Sequence, residues 1–339
     1  LRVSNWEFLE QIGLTGASGG EQLIRELHLS SKNIFGTARI QEADASPIAH
    51  VVRIDKLASE IREKIYEDAQ ITVCEEAEIS DFRRDNSVLE LSNGGHTWQA
   101  KRCVVADGSN SPVSELLQIP KKGYPKLIES FIIAIKADNW KKEAAYIRQD
   151  ESVIYGVVPQ AQGQGWVIVT RVLNVMGADD EQDAGDMQSD EYWQERLNQV
   201  FSTRLGNVGI SGAIVKQKSM LQSRPVSHVP WVISLGNAAL QVPPIGAQGL
   251  NMALQDCQDM FHLQQICSWH TQSPIAWQDQ FSAKCQYRHD QWYQKIQTLV
   301  GHLSRYGQLD QIKSRLAWML LGIDGTLQDQ LESVGQGRG

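Results

Sequence analysis

The stretch VISLGNAALQVPPIGAQGLNMALQDC, Val232 to Cys257, decides how the rest of the chain is read. Val232, Ile233 and Leu235 form a short apolar run after Pro230, the pattern of a buried strand. Gly236, Asn237, Ala238 and Ala239 are small and let another body approach the backbone. Pro243 and Pro244 forbid regular structure at their positions. From Gln248 onward, Leu250, Leu254, Cys257 and Phe261 recur at helical spacing. The segment therefore predicts a strand, a small-residue loop and a helix whose first N–H groups are exposed. That end of a helix favours an anion such as a pyrophosphate. A tight connection with no ligand has the same pattern, because small-residue loops are common. The residues alone leave both readings open.

The chain around this stretch has 339 residues, room for one large or two ordinary domains. It is 42% hydrophobic and 21% charged, a globular composition. The net charge of -8 gives nucleic acid no basic footprint. Five scattered cysteines, with no Cys-x-x-Cys pair, argue for reduced thiols rather than a disulfide scaffold or a zinc site. No apolar run reaches the length of a membrane span, and no signal peptide is expected. The opening LRVSNWEFLEQIGL reads as the middle of a domain, so residues upstream of Leu1 are expected.

Other segments fill in the layout. Phe8 to Leu14 predicts a helix ending at Gly13. EQLIRELHLS alternates Leu23, Arg25, Leu27 and Leu29 as a strand, with NIFGTARIQ as its partner. HVVRIDKLASEIREKIY begins extended and becomes a helix, with Asp55 as its N-cap. QITVCEEAEIS and SVLELSNGGHTWQA read as strands, the second folded at Asn93-Gly94-Gly95. KLIESFIIAIKAD, ESVIYGVVPQ and GWVIVTRVL follow without helices between them, which predicts an antiparallel sheet. GADDEQDAGDMQSDEYW reads as a solvated acidic loop leading into a helix from Trp193 to Leu205.

CVVADGSNSPVSELL is the second informative segment. Val104 and Val105 end a strand, Asp107-Gly108 makes a turn, and Ser109, Asn110 and Ser111 precede a helix. Asp-Gly alone is a weak signal; it gains weight beside Gly236 to Asn251. Together the two segments resemble the FAD-dependent aromatic hydroxylases of the para-hydroxybenzoate hydroxylase type. Ala106-Asp107-Gly108 and Ser111 match that family's Ala-Asp-Gly-x-x-Ser motif. Gly236, Asn237, Ala238, Ala239, Pro244, Gln248, Gly249, Leu250 and Asn251 match its Gly-Asp/Asn-Ala-Ala and Gly-Gln-Gly-x-Asn motifs. FLEQIGL, HLSSKNIFGTARI and HVVRIDKLASEI are similar to the ubiquinone-biosynthesis branch, the 2-octaprenyl-6-methoxyphenol hydroxylases.

The resemblance implies an α/β fold: an incomplete Rossmann-like FAD-binding domain with an inserted antiparallel β-sheet substrate domain and a helical C-terminus. The expected boundaries are 1–20, 48–123 and 225–290 for the first, 21–47 and 124–224 for the second, and 291–339 for the third. It implies FAD as cofactor and NAD(P)H as co-substrate, with O₂ taken up as a flavin hydroperoxide that hydroxylates a polyprenyl phenol. Asp107, Gly108, Gly236, Asn237, Ala238, Pro244, Gly246, Ala247, Gln248, Gly249, Leu250 and Asn251 are the implied FAD contacts. No acid–base triad and no metal are expected. A cytoplasmic protein is implied, in peripheral contact with the inner face of the membrane and in complex with other ubiquinone-biosynthesis proteins.

Three departures stand beside the likeness. The family's opening βαβ unit, with Gly-x-Gly-x-x-Gly and an acidic residue for the ribose, has no counterpart here. GASGG, Gly16 to Gly20, follows a helix pattern rather than the strand that fingerprint requires. Leu240 and Pro243 replace polar or His residues, and Gly246-Ala247 reverses the usual Ala-Gly, putting a Cβ where the backbone passes the flavin. Ala253 and Gln255 replace common Gly and Arg. An alternative is therefore a truncated, non-catalytic relative acting as an interaction partner in a ubiquinone-biosynthesis complex. His50, Arg53 and Pro159 are weighed as ligand contacts against structural roles. Trp292, Trp318 and LAWMLLGI are weighed as a bilayer dock against a packed helix.

Overall fold

The computed structural model describes residues 1–14, 22–31, 34–42, 44–85, 88–150, 152–160, 163–173, 189–245, 248–266 and 274–303. The chain begins with α1 (Val3–Gln11), β1 (Gln22–Ile24), β2 (Glu26–Ser31), β3 (Ile34–Ile40), β4 (Ala49–Val51) and α2 (Ile54–Glu67). Strands β5 (Asp81–Asp85), β6 (Val88–Ser92), β7 (Thr97–Ala100) and β8 (Cys103–Val105) lead to a short α3 (Pro112–Leu116). Four long strands follow: β9 (Lys122–Ala137), β10 (Ala144–Asp150), β11 (Val153–Pro159) and β12 (Gln164–Leu173). Helix α4 (Asp190–Leu205) precedes β13 (Val208–Ser223), β14 (Val232–Ser234) and β15 (Leu240–Gln241). Helices α5 (Gln248–Ile266) and α6 (Pro274–Leu303) close the described chain.

Eight strands form one sheet in the order β15-β13-β9-β12-β11-β10-β2-β3. Every pairing is antiparallel except β10 with β2. Residues alternate between its two faces. Phe131, Ile133, Ile135, Tyr155, Val157, Val167 and Val169 point to one face, where Trp193, Leu197, Val200, Phe201 and Leu205 of α4 cover them. Ser189 caps α4 by accepting a bond from the Tyr192 N–H at 3.1 Å. On the other face Ile128, Ile154 and Leu221 pack with Trp292, Tyr293, Ile296 and Val300 of α6. Trp292 thus belongs to the core, while Trp318 and LAWMLLGI lie outside the described residues.

A separate layer holds the parallel pair β8–β14 and the antiparallel sheet β5-β6-β7. The β6–β7 turn is built as its sequence predicts: Asn93 Oδ1 accepts from the N–H of Gly95 (3.1 Å) and of His96 (2.8 Å), and Gly94 sits at φ +83°.

Several expectations need correcting. EQLIRELHLS is two strands broken at Arg25, because β1 pairs with β4 while β2 pairs with β3 and β10. QITVCEEAEIS is not a strand: only its last residue, Ser80, reaches β6, through a bond to the Ser92 carbonyl, and Ile71 and Val73 are 46% and 39% exposed. Arg53, not Asp55, is the N-cap of α2. Asp55 lies inside the first turn, where its charge still suits the positive helix end, and it binds Arg53. Strands β10 and β13 were not anticipated from the sequence.

Two carboxylates of the eight-stranded sheet, one buried and one half-buried, are held by cations. Glu129, 2% exposed at its side chain, meets Arg171 (2.7 Å) and Lys216 (3.0 Å). Glu26, 14% exposed, meets Lys141 (2.6 Å), His28 (2.9 Å) and Arg39. Burial pushes the Glu26 pKa up, but Lys141, His28 and Arg39 outweigh it and hold it down to about 2. A carboxylate whose folded pKa is depressed adds stability above its ordinary value of 4.5 and loses it as pH falls toward the folded value. Urea unfolding should therefore show stability declining between pH 4.5 and about 2, with a flatter decline in Glu26→Gln. Glu129→Gln leaves two cations without their buried partner and should cost about 3 kcal/mol at neutral pH in the same measurement.

Candidate functional site

The site begins with a register. In the parallel pair, Cys103 lies opposite Val232, Val104 opposite Ile233 and Val105 opposite Ser234. The Leu235 N–H continues the ladder to the Val105 carbonyl at 2.9 Å. The two segments singled out in the sequence therefore leave their strands at the same end, side by side. In open α/β sheets the crevice outside the carboxyl ends of the strands is where ligands bind.

At the end of β8, Asp107 is exposed and its Oδ2 accepts from the Val113 N–H at 3.2 Å, tying the turn to α3. Gly108 has φ +89°, and a Cβ added there would meet nothing within 4 Å. The turn is open on that side. Ser111, fully buried, caps α3 through the Ser114 N–H at 3.0 Å.

At the end of β14, Gly236 to Ala238 form a single 3₁₀ turn. Gly236 has φ +54°, and a Cβ there would stand 3.1 Å from the Ala253 Cβ of α5. Asn237 is exposed and Ala238 fully buried. The chain then enters β15, and Leu240, Val242 and Ile245 join the core cluster between sheet and α6. Pro244, half-buried, is carried by that anchored stretch. Gly246 and Ala247 lie outside the described residues.

The first turn of α5 comes back against the Gly236 turn. A Cβ on Gly249 would be 3.5 Å from Asn237 Oδ1. Gln248 and Asn251 are buried and point to α1 rather than to the open side. Gln248 Oε1 accepts from Arg2 Nη2 at 3.1 Å. Asn251 Oδ1 accepts from the Arg2 N–H and from Asn5 Nδ2, both at 2.9 Å. Leu250 packs against the cluster of Trp6, Leu9, Leu57 and Leu254. Among the implied contacts, Asp107 and Asn237 are exposed and the space over Gly108 is open, whereas Ala238, Gln248 and Asn251 are buried.

Sequence reasoning missed Arg2 and Asn5, which orient the start of α5, and Asp256, whose Oδ2 accepts from the Gly236 N–H at 3.0 Å. An Asn beside an apolar helix face was the only available hint for Asn5. Arg2 also lies over the Trp292 ring at 5.1 Å, and Lys295 lies over the same ring at 5.4 Å. Arg2 thus stands beside the positive end of α5. His50 stacks on Trp6 at 4.8 Å, and Arg53 is exposed and held by Asp55. Pro159 ends β11 opposite Gly165. The Cys103 thiol next to the crevice is pushed up to about 11 by burial and the Asp107 charge, so it is protonated at neutral pH. Among the described residues, no cluster of His, Cys, Asp or Glu could hold a metal ion. None of their helices is long and apolar enough to cross a membrane.

Residues 7–265 match the family described as an FAD binding domain. The chain belongs to that family. No curated protein matches it. Among solved structures, PqsL, a probable FAD-dependent monooxygenase from Pseudomonas aeruginosa, superposes with a TM-score of 0.70 at 17% identity, over 94% of this chain and 88% of that one. The p-nitrophenol 4-monooxygenase PnpA from Pseudomonas putida gives 0.69 at 13% identity, over 98% and 85%. HpxO from Klebsiella pneumoniae, complexed with FAD and uric acid, gives 0.67 at 12% identity, over 98% and 84%. This chain therefore has the fold of the FAD-dependent monooxygenases.

Gly236→Ala should lower stability by about 2 kcal/mol, from the left-handed backbone and the Ala253 contact together. Gly108→Ala meets no neighbour and should cost only about 1 kcal/mol. Chemical denaturation of the two variants would check the order.

Proposed function

We propose that this chain binds FAD across the ends of β8 and β14 and acts as an FAD-dependent aromatic-ring monooxygenase. Its proposed co-substrates are NAD(P)H and O₂, and its proposed substrate is a polyprenyl phenol of ubiquinone biosynthesis. The observation that carries the reading is the parallel register that sets Asp107 and Gly108 beside Gly236 and Asn237. The open space over Gly108 and the exposed polar groups of Asp107 and Asn237 fit a hydroxylated chain laid across both strand ends.

In this reading Asp107 and Asn237 bond the ribityl side of FAD. The first turn of α5, through Gln248, Gly249 and Leu250, offers its N–H groups to the phosphate side. Ala238, Pro244, Gly246, Ala247 and Asn251 complete the contact set that the family motifs imply. When bound, FAD supplies the redox and oxygen chemistry. The residues of the chain bind, orient and exclude water.

The eight-stranded sheet supports an apolar substrate. Val215, Ile132, Ile168, Gly156, Ile147 and Leu29 stand in one register row across six strands. The strand alternation puts them on the face opposite α4. Ile147 reaches the cluster that contains Ile245, so this row borders the stretch that leads into α5. A greasy, uncharged ring and tail match such a wall better than a charged aromatic acid does.

A second reading, a non-catalytic interaction partner, draws on a different feature. Among the described residues β8 pairs only with β14, and Val104 on it is 41% exposed. An unpaired strand edge with exposed apolar residues invites association.

A fluorescence-quenching titration with FAD separates the two. Saturable micromolar binding, weakened at least tenfold by Asp107→Ala and by Asn237→Ala without loss of fold, is the expected result. A folded chain that does not bind FAD would overturn the first reading and leave the second.

A further inference from the structure

The Gly236–Asn237 turn lies against a buried charge network centred on Asp256, beyond the residues matched above. Asp256 is one turn beyond Ala253 on α5, on the helix face that meets the turn. Its side chain is fully buried. Three groups from two elements converge on its carboxylate. The Gly236 N–H donates to Oδ2 at 3.0 Å. His289 Nε2, on α6 and itself fully buried, lies 3.0 Å from Oδ1 and 3.1 Å from Oδ2. Arg288, also on α6, donates one arm of its guanidinium to Oδ1 and the other to Asp259. Lys284 completes the group at 2.7 Å from Asp259. Burial alone would raise the Asp256 pKa, but the His289 bond and the charges of His289 and Arg288 keep it below the ordinary carboxylate range.

A carboxylate that only joined α5 to α6 would need no more than its cations. This one also takes a backbone N–H from the loop that turns over it. Gly236, which donates that bond, is left-handed at φ +54°, and Asn237 after it is exposed. Arg288 reaches the two carboxylates through separate nitrogens of one rigid fork, a spacing that the single ammonium nitrogen of a lysine does not reproduce.

We propose that Asp256, gripped by His289 and Arg288, is a positioning residue for the Gly236–Asn237 turn, so that α6 sets the geometry with which this turn holds its ligand. The inference rests on the reading that the turn contacts FAD.

The test compares wild type with Asp256→Asn, Arg288→Lys and, as a control of stability alone, Glu129→Gln. Each full chain is measured for the FAD dissociation constant, the visible spectrum of bound flavin, the melting temperature and amide exchange of Gly236. Asp256→Asn keeps the shape of the side chain but sets an amide against Arg288 and His289. It should weaken FAD at least tenfold, shift the flavin spectrum and speed exchange at Gly236. Arg288→Lys should do the same to a smaller degree and serves if Asp256→Asn does not fold. Glu129→Gln should lower the melting temperature and leave FAD binding and Gly236 exchange unchanged. FAD affinity that follows melting temperature across all variants, or unchanged Gly236 exchange in both network variants, overturns the proposal. If wild type itself does not bind FAD, the flavin reading fails. Unchanged Gly236 exchange would then still overturn the positioning role, and accelerated exchange would support it.

Discussion

Three residue pairs between β8 and β14 carry the rest of the arrangement. Parallel strands cannot be neighbours through a tight turn, so the chain between Val105 and Val232 has to travel out and return. It does so as the long strands β9 to β13 and helix α4. The excursion makes a self-sufficient core against α4, and its return places Gly236 next to Asp107. All three residues of β14 are buried, and the Leu235 N–H extends the ladder by one more bond to the Val105 carbonyl.

Electrostatics then hold the pieces in place. Among the buried carboxylates of the described chain, Glu129, Asp150, Asp256 and Asp259 are each met by at least one cation. Burying such groups costs more than it returns in the absence of good geometry. Their value here is placement. The Asp256 group joins α6, α5 and the Gly236 turn at one point, and the Arg2–Asn251 bonds join α1 to the start of α5. The crevice is therefore lined by a few exposed polar groups on a floor whose own polar atoms face inward.

Much of this was legible in the sequence, and the reasons differ by element. The β14 strand and α5 were readable because burial imposes a continuous apolar run on one and a 3.6-residue period on the other. The Asn93-Gly94-Gly95 hairpin was readable because its geometry is local. QITVCEEAEIS misled because it carries a strand's composition while only its last residue reaches a described strand, and pairing is a non-local property. Strand β13 was missed because its exposed half, Ser211 to Lys218, carries only the three apolar residues Ala213 to Val215 and its bulge interrupts the alternation.

The sequence by itself determined which residue types stand at the two turns, the small residues that let a ligand approach them, and membership of the FAD binding domain family. Those are properties of short motifs. Only the tertiary structure decided that Gln248 and Asn251 turn their side chains to Arg2 and Asn5, that Trp292 is core, and that Asp256 takes the Gly236 N–H. Each of those depends on residues far apart in the chain being brought within a hydrogen bond's length. No local pattern of hydrophobicity or propensity encodes that distance.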